Sequence, residues 1–307
     1  MIKTVSIIGI GAVGAIYALR LTSLLGKEQV RVIVDPPRMT RYRQDGLYLN
    51  GEPADFQLIT PDQPVQPTDL IILATKNHQL HQAARMISGH IGEHTAILSL
   101  LNGIDSEVYL TELYGEARVL YGFTTALDST REGNHIHFTN DGIIFFGEKN
   151  NHMTSRLKAI ENLFTAANIQ NRIPNDIHLE LWAKFMVNVS INTISAITSA
   201  TYGQCAHIPA IKQMIIATQR EVIALAEAKG IRGLDESYID RYQKIFASLE
   251  PSGKTSMLQD RESGRMTENP WFCKRASALG KELGIPTPLC DMLGNLLEAI
   301  ETIQHSH

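Results

Sequence analysis

Three glycines near the start of the chain have the spacing of a turn that binds phosphate groups. They lie in the segment 9–14 (GIGAVG), between an apolar run of strand length and the pattern of an apolar helix. Gly9 permits a tight turn, Gly11 lets the backbone approach a pyrophosphate, and Gly14 lets the helix pack closely on the strand. The helix N-terminus adds unpaired N–H groups and the positive end of a dipole. The sequence therefore predicts a dinucleotide site made by Gly9, Gly11, Ala12, Val13 and Gly14.

An acidic residue follows the second apolar run, where dinucleotide-binding folds hold a ribose. That run is Val30–Val34, and Asp35 follows it about 20 residues beyond the glycine turn. A carboxylate here accepts a hydrogen bond from a ribose 2′-hydroxyl and repels a 2′-phosphate, so we expect NAD to be the preferred cofactor. Arg38 lies nearby and leaves NADP binding possible. The alternative interpretation of segment 9–14 is a glycine-rich turn between ordinary α/β elements that binds no ligand.

A second stretch combines three polar side chains with the pattern of an apolar helix. Lys184, Asn188 and Asn192 are four residues apart, so on a helix of 3.6 residues per turn they form one row that drifts by about 40° per step. Their neighbours are almost all apolar, and an unpaired polar group costs ~2–7 kcal/mol when it is buried. A solvated stripe on an amphipathic helix is the alternative. The apolar neighbours favour a helix that faces a cleft.

A polar stretch in the second half of the chain follows a Pro-Ser-Gly loop. Residues 254–268 have the pattern of a polar helix, for which Thr255 or Ser256 is a suitable N-cap. This pattern by itself indicates no function.

The order of apolar runs indicates two regions with different folds. In the first half, strand-like runs alternate with helical patterns, which is typical of a parallel, doubly wound sheet. Asn50-Gly51 predicts a hairpin turn, and Gly133-Asn134 and Asp141-Gly142 predict turns between later short strands. Helical periodicity dominates the second half. We therefore expect an α/β fold, with a Rossmann-type dinucleotide-binding domain over residues 1–175 and an all-helical substrate and dimerisation domain over residues 176–307.

Composition excludes several classes of protein. The 307 residues carry a net charge of −4 and are 44% hydrophobic and 20% charged, which is typical of a globular protein and argues against a nucleic-acid-binding one. Apart from the strand and glycine turn at the start, no run approaches transmembrane length. Cys205, Cys273 and Cys290 lack the spacing of a zinc site or a disulfide framework. We expect a cytoplasmic homodimer without a metal ion, bound to neither nucleic acid nor membrane.

Five features, in order along the whole chain, resemble the ketopantoate reductase family. The first three are the glycine turn, Lys76 after the apolar run 70–74, and Asn102-Gly103 after the apolar run 96–100. The other two are the row that starts at Lys184, and Ser256–Asp260 followed by Thr267-Glu268. The resemblance implies an oxidoreductase in which a nicotinamide cofactor delivers hydride to the ketone carbon of a 2-oxo acid. The product would be the (R)-2-hydroxy acid.

The resemblance also implies roles for individual residues. Lys184 matches the catalytic lysine, which would hydrogen-bond the ketone oxygen and protonate it as charge develops. Glu268 matches a glutamate that orients the substrate and the lysine. The same resemblance implies substrate binding by Asn102, Asn188, Asn192 and Ser256, and cofactor binding by Lys76 and Asn102.

The sequence departs from the family pattern where the substrate would bind. Tyr202 stands where pantoate-forming members often carry an asparagine, and segment 269–274 (NPWFCK) replaces the usual Ile-Asp and Asn-Gly. Fewer hydroxyl-binding groups and more aromatic ones favour a hydrocarbon substituent, although core packing or an oligomer interface would equally explain Trp271 and Phe272. We expect a D-2-hydroxyacid dehydrogenase for branched or aromatic 2-oxo acids such as benzoylformate. The alternatives are an NADPH-dependent 2-dehydropantoate 2-reductase and a non-catalytic NAD-binding sensor.

Overall fold

The computed structural model describes residues 1–306 and shows two compact units. The first unit consists of Met1–Leu101 and Asp105–Ile177. The second consists of the short segment Asn102–Ile104 and the chain from His178 onward. Among residues 1–306, no helix combines the length and the apolar character that crossing a membrane requires.

The first unit is built on one sheet of ten strands. The strands are β1 (Val5–Ile8), β2 (Val30–Ile33), β3 (Tyr48–Leu49), β4 (Glu52–Pro53), β5 (Gln57–Ile59), β6 (Leu70–Leu73), β7 (Ala96–Ser99), β8 (Val119–Glu132), β9 (His135–Gly147) and β10 (Asn171–Arg172). Their order is β4-β3-β9-β8-β7-β6-β1-β2-β5, with β10 beside β9. All pairs from β8 to β5 in this order are parallel. The chain reverses its direction of travel across the sheet beside β1, which is where doubly wound sheets bind their ligands.

Five helices complete the first unit. They are α1 (Ala12–Leu25), α2 (Pro36–Asp45), α3 (Leu80–Met86), α4 (Ser106–Tyr114) and α5 (Ser155–Ala166). Every residue of β1, β6 and β7 is buried, and the apolar residues at successive positions enter two separate clusters, as Ile7 and Ile8 do. Burying each such side chain stabilises the fold by about 1.5–3 kcal/mol. The predicted Rossmann-type doubly wound sheet is therefore confirmed.

Two of the three predicted turns in the first unit are present, and the third is not. Gly133 (φ 57°) and Asn134 form the predicted turn between β8 and β9. Asn50 (φ 50°) and Gly51 (φ 87°) form the predicted two-residue turn between β3 and β4. The predicted turn at Asp141-Gly142 is wrong, because both residues lie inside β9. This strand pairs with β8 over almost its whole length, and a register shift together with the φ of 75° at Gly142 accommodates the irregular pairing.

The second unit is all-helical, as predicted. The helices from Ile177 onward are α6 (Ile177–Val187), α7 (Thr193–Thr198), α8 (Tyr202–His207), α9 (Pro209–Ala228), α10 (Glu236–Ser248), α11 (Ser256–Glu262), α12 (Cys273–Leu283) and α13 (Pro288–His305). Between α6 and α7, residues Asn188–Asn192 form a π-helical turn. The apolar core of this unit includes Phe272, which is fully buried. Phe272 is therefore a core residue rather than part of a pocket wall.

Candidate active site

The glycine turn joins β1 to α1, and its three glycines meet different surroundings. A Cβ atom on Gly9, whose φ is 96°, would lie 2.5 Å from the carbonyl carbon of Ala74, and one on Gly14 would lie 2.0 Å from the Gly9 oxygen. A Cβ atom on Gly11 would meet nothing within 4 Å. Close packing within the protein therefore requires glycine at positions 9 and 14. At position 11 the space is open, which fits a bound pyrophosphate.

The first turn of α1 carries N–H groups that no side chain caps. Gly11 is the N-cap residue, and its backbone is extended, with φ −78° and ψ −164°. No side chain of the described residues accepts a hydrogen bond at this cap, and the first turn contains no acidic residue. The N–H groups of Ala12, Val13 and Gly14 have no partner within the helix, because the first intrahelical bond is donated by Ala15. This end of α1 therefore suits an anionic group.

Two predicted cofactor residues follow the two parallel strands that flank β1, at the carboxyl ends of those strands. Asp35, two residues after β2, is the N-cap of α2, and its Oδ1 accepts a hydrogen bond from the Arg38 N–H at 2.8 Å. Its Oδ2 lies 3.0 Å from Nη1 of Arg38. Lys76, three residues after β6, is half-buried and precedes a short 3-10 turn. Asp35 thus has a structural role as a helix cap in addition to its predicted one.

Thr75 is a polar residue at this edge that sequence analysis missed. Its Oγ1 atom is buried and has no hydrogen-bond partner among the described residues. A buried hydroxyl without a partner costs free energy, which a ligand with hydroxyl or phosphate groups would recover. The signal was its position directly before Lys76, at the carboxyl end of a central strand.

The polar row of the second unit spans two kinds of helix. Lys184 lies in α6, whereas Asn188 and Asn192 are the first and last residues of the π-helical turn. The single α-helix that the spacing predicted is therefore wrong. A π-turn holds more residues than an α-turn, so its drift opposes that of α6 and keeps the row aligned. Only 2% of Asn188 and 8% of Asn192 are exposed, so neither belongs to a solvated stripe.

The amides of this row continue into a chain of hydrogen bonds that ends on a carboxylate. Asn192 Nδ2 donates to Asn188 Oδ1 at 3.3 Å, and Asn188 Nδ2 donates to Asn102 Oδ1 at 3.4 Å. Asn102 Nδ2 donates to Glu268 Oε2 at 2.8 Å. A carboxylate only accepts hydrogen bonds, so Glu268 fixes the orientation of all three amides. We call this set the amide chain.

Lys184 is half-buried next to the amide chain and is electrostatically coupled to Glu268. Burial lowers the pKa of its ammonium from the usual 10.5 to about 8, although the Glu268 carboxylate opposes this shift. Among the described residues, none accepts a hydrogen bond from Lys184 within the protein, so its donors remain available to a ligand. An amine with a pKa of about 8 is mostly protonated at neutral pH and gives up its proton more readily than an ordinary lysine. It is therefore suited to general-acid chemistry.

The remaining predicted residue of the second unit, Ser256, is not brought into hydrogen-bond contact with the amide chain. It is exposed and is the first residue of α11. The N-cap is Thr255, whose Oγ1 accepts a hydrogen bond from the Leu258 N–H at 3.2 Å. Of the two residues that the sequence offered as a cap, Thr255 is confirmed.

Cys273 supports the π-helical turn, and sequence analysis missed this contact. Its thiol donates to the Val189 carbonyl at 3.3 Å and lies 3.4 Å from Oγ1 of Thr193. Since a π-helical turn interrupts the regular α-helical hydrogen bonds, a side chain that satisfies one of its carbonyl groups stabilises it. The departure of segment 269–274 from the family pattern was the only signal in the sequence.

Comparison with known proteins gives the family of this chain. Residues 5–151 match the family model "Ketopantoate reductase PanE/ApbA", and residues 176–301 match the model of its C-terminal part. A 2-dehydropantoate 2-reductase of Streptococcus pyogenes serotype M6 is 25% identical over 303 residues, which cover 97% of this chain and 98% of that protein.

Two solved structures share the fold over almost the entire chain. One is D-mandelate dehydrogenase with NADH and anilino(oxo)acetate, which has a TM-score of 0.88 at 23% identity and covers 97% of this chain and 98% of that one. The other is 2-dehydropantoate 2-reductase from Geobacter metallireducens GS-15, with a TM-score of 0.85 at 25% identity and coverage of 97% and 99%. The two family models, which match most of the chain, show that it belongs to the ketopantoate reductase family of NAD(P)-dependent oxidoreductases that act on CH–OH groups.

Proposed function

We propose that this chain is a D-2-hydroxyacid dehydrogenase that interconverts a branched or aromatic 2-oxo acid and its (R)-2-hydroxy acid. The observation that carries the catalytic part is Lys184, an amine with a pKa of about 8 whose donors are free beside Glu268. A non-catalytic sensor of NAD would have no use for such a group. We also propose that residues 1–175 bind the dinucleotide and that residues 176–307 bind the substrate and form a homodimer.

In the reaction, Lys184 holds and moves the proton. When bound, a nicotinamide cofactor exchanges hydride with the carbonyl carbon of the substrate. The Lys184 ammonium donates a hydrogen bond to the ketone oxygen and transfers its proton as negative charge develops there, which contributes roughly 10²–10⁴-fold to the rate. In the reverse direction the neutral amine accepts the hydroxyl proton. Glu268 stabilises the charged form of the lysine.

The amide chain orients the substrate. Because Asn102, Asn188 and Asn192 are tied to one another and to Glu268, few of their rotamers remain accessible. We propose that these three amides, together with Ser256, hold the substrate carboxylate and the ketone. Positioning of this kind lowers the entropic barrier because the reacting groups are aligned before reaction.

The cofactor would lie on the open side of the glycine turn. The N–H groups of the first turn of α1 would hold the pyrophosphate, and Lys76 and Asn102 would lie beside the cofactor. We propose that Asp35 gives a preference for NAD, because its carboxylate repels a 2′-phosphate. Arg38 neutralises part of this charge at 3.0 Å and so leaves some affinity for NADP.

The ratio of kcat/KM for NADH to that for NADPH tests the cofactor preference. We expect the wild type to favour NADH and Asp35→Asn to lose most of that preference. Arg38→Ala is the paired variant, and it should weaken NADPH more than NADH. A wild-type preference for NADPH that is unchanged in Asp35→Asn would contradict the proposal.

The substrate proposal rests on two aromatic residues that pack against the core of the second unit and are only partly buried. Trp271 is half-buried, and its carbonyl oxygen lies 3.7 Å from the Cβ position of Gly103, in the loop that carries Asn102. Tyr202 is half-buried at the start of α8. Side chains of this kind tolerate a hydrocarbon substituent better than they satisfy a hydroxyl group.

The second candidate function is reduction of 2-dehydropantoate, which is the activity of the named relative from Streptococcus pyogenes. Initial rates with benzoylformate, 2-oxoisovalerate and 2-dehydropantoate, each with NADH and NADPH, separate the two. We expect the highest kcat/KM for benzoylformate or 2-oxoisovalerate with NADH. A clear lead for 2-dehydropantoate would replace the first proposal by the second.

A further inference from the structure

Arg131, near the tip of the β8–β9 hairpin, contacts the glycine turn. Its Nη1 donates to the Ile10 carbonyl oxygen at 2.5 Å, although the two residues are 121 positions apart. Its Nη2 donates to the Tyr42 hydroxyl at 2.9 Å, and its Nε to the Gly133 carbonyl at 2.9 Å. The guanidinium is therefore held by three acceptors from three elements of the first unit.

The Ile10 carbonyl and the Gly11 N–H are the two ends of one planar peptide group. A cation that binds the oxygen fixes the plane of this group and polarises it, which makes the N–H a stronger donor. Gly11 is also the position where a Cβ atom would meet nothing within 4 Å. Arg131 thus acts on the peptide group that borders the open space.

Tyr42 braces the guanidinium from the side of α2. Tyr42 is only 5% exposed, and the Arg41 guanidinium lies 5.1 Å from the centre of its ring. The Tyr42 hydroxyl accepts hydrogen bonds from both arginines. Because the tyrosine is fixed by burial, it restricts Arg131 to the geometry that reaches Ile10.

We infer that Arg131 is a cofactor-positioning residue, which orients and polarises the Ile10–Gly11 peptide group for the pyrophosphate of the dinucleotide. The inference rests on the proposed dinucleotide site. It adds a side chain from the β8–β9 hairpin to a site that the glycine spacing describes as backbone alone. Its cationic charge also favours an anionic ligand at the turn.

The same hairpin has a second attachment that provides a matched control. Arg20 Nε lies 2.6 Å from Asp141 Oδ2, and the Tyr17 hydroxyl donates to the Asp141 carbonyl at 3.0 Å. These contacts join β9 to α1 without touching the Ile10–Gly11 peptide group. If Arg131 served only to attach the hairpin, loss of the Arg20 contact would have a comparable effect.

The dissociation constants of NADH and ADP-ribose test the inference without any need for turnover. In titrations of NADH fluorescence, we expect Arg131→Met to raise the dissociation constant about tenfold and Arg20→Met to raise it less than twofold. Competition should show the same loss for ADP-ribose and none for adenosine, which has no phosphate. Thermal unfolding should be similar in the two variants. Arg131→Lys keeps the charge but cannot reach three acceptors, so its loss of NADH affinity should be intermediate. It replaces Arg131→Met in this test if Arg131→Met does not fold.

Equal losses in Arg131→Met and Arg20→Met would overturn the inference and leave a purely structural attachment. Unchanged affinity in Arg131→Met and Arg131→Lys would overturn it as well. A wild-type protein that binds neither NADH nor NADPH would instead contradict the proposed function. The two failures are therefore distinguishable.

Discussion

The candidate cofactor site and the candidate catalytic site are built from different parts of the polypeptide. In the first unit, the candidate site is six consecutive residues, and no side chain caps the main-chain N–H groups at the start of the helix that they open. In the second unit, the amide chain joins side chains as far apart in sequence as Asn102 and Glu268, which are 166 positions apart. A backbone site depends on local conformation and on space. A side-chain site depends on correct packing of the whole unit and on the pKa that burial produces.

The largest effect should follow a change in the side-chain site. We expect Lys184→Met to lower kcat about 10³-fold for reduction of the preferred 2-oxo acid, because the proton donor is lost. The dissociation constant for NADH should change less than twofold, since the backbone site is intact. Stopped-flow or steady-state rates and a binding titration measure the two quantities. Lys244→Met, in an exposed part of α10, is the matched control and should leave both unchanged.

Substitutions in the glycine turn should have smaller effects, which differ between Gly11, where glycine leaves space for a ligand, and Gly14, where it permits close packing. Gly11→Ala places a methyl group in open space, so we expect a rise of at least about tenfold in the dissociation constant for NADH and only a small change in the melting temperature. Gly14→Ala places its methyl group 2.0 Å from the Gly9 oxygen and should lower the melting temperature clearly.

Calorimetry and binding titrations of both glycine variants check this contrast. If Gly11→Ala bound NADH as well as the wild type does, the open space at position 11 would not be the pyrophosphate site. If Gly14→Ala were as stable as the wild type, the packing argument for this turn would fail.

The smallest expected effect is a shift of the pH profile on neutralising Glu268. Its carboxylate raises the pKa of Lys184, so Glu268→Gln should lower that pKa further below about 8. The pH at which kcat/KM for reduction starts to fall should then decrease, and kcat should fall about tenfold because the amide chain loses its carboxylate. A pH profile identical to that of the wild type would show that Glu268 does not act on the lysine.

Local sequence was sufficient to predict the structure wherever neighbouring residues decide the backbone conformation. The glycine turn and the Asn50-Gly51 turn require backbone angles or close approaches that only a few residue types allow, so their residues indicated them. The fold class followed from apolar periodicity for the same reason. The Asp141-Gly142 prediction was wrong because pairing with β8 outweighed a local turn signal.

The side-chain site was only partly predictable. Spacing indicated the row from Lys184 to Asn192, but an α-helix and a π-helical turn share almost the same apolar pattern, so the turn was invisible in the sequence. Asn102 and Glu268 became partners of the row only through the fold. The resemblance to the family indicated these residues individually, whereas the direction of their hydrogen bonds and the lowered pKa of Lys184 depend on burial in three dimensions.

The pH dependence of kcat/KM in both directions tests the central claim, that Lys184 moves the proton. Its pKa of about 8 predicts that reduction of the 2-oxo acid is fast below this pH and falls above it, because only the protonated amine is a donor. Oxidation of the (R)-2-hydroxy acid should rise through the same pH, because the neutral amine is the base. Opposite limbs near pH 8 in the wild type, both absent in Lys184→Met, are the predicted result. Profiles that are flat near pH 8, or that change in the same sense in both directions, would contradict the assignment.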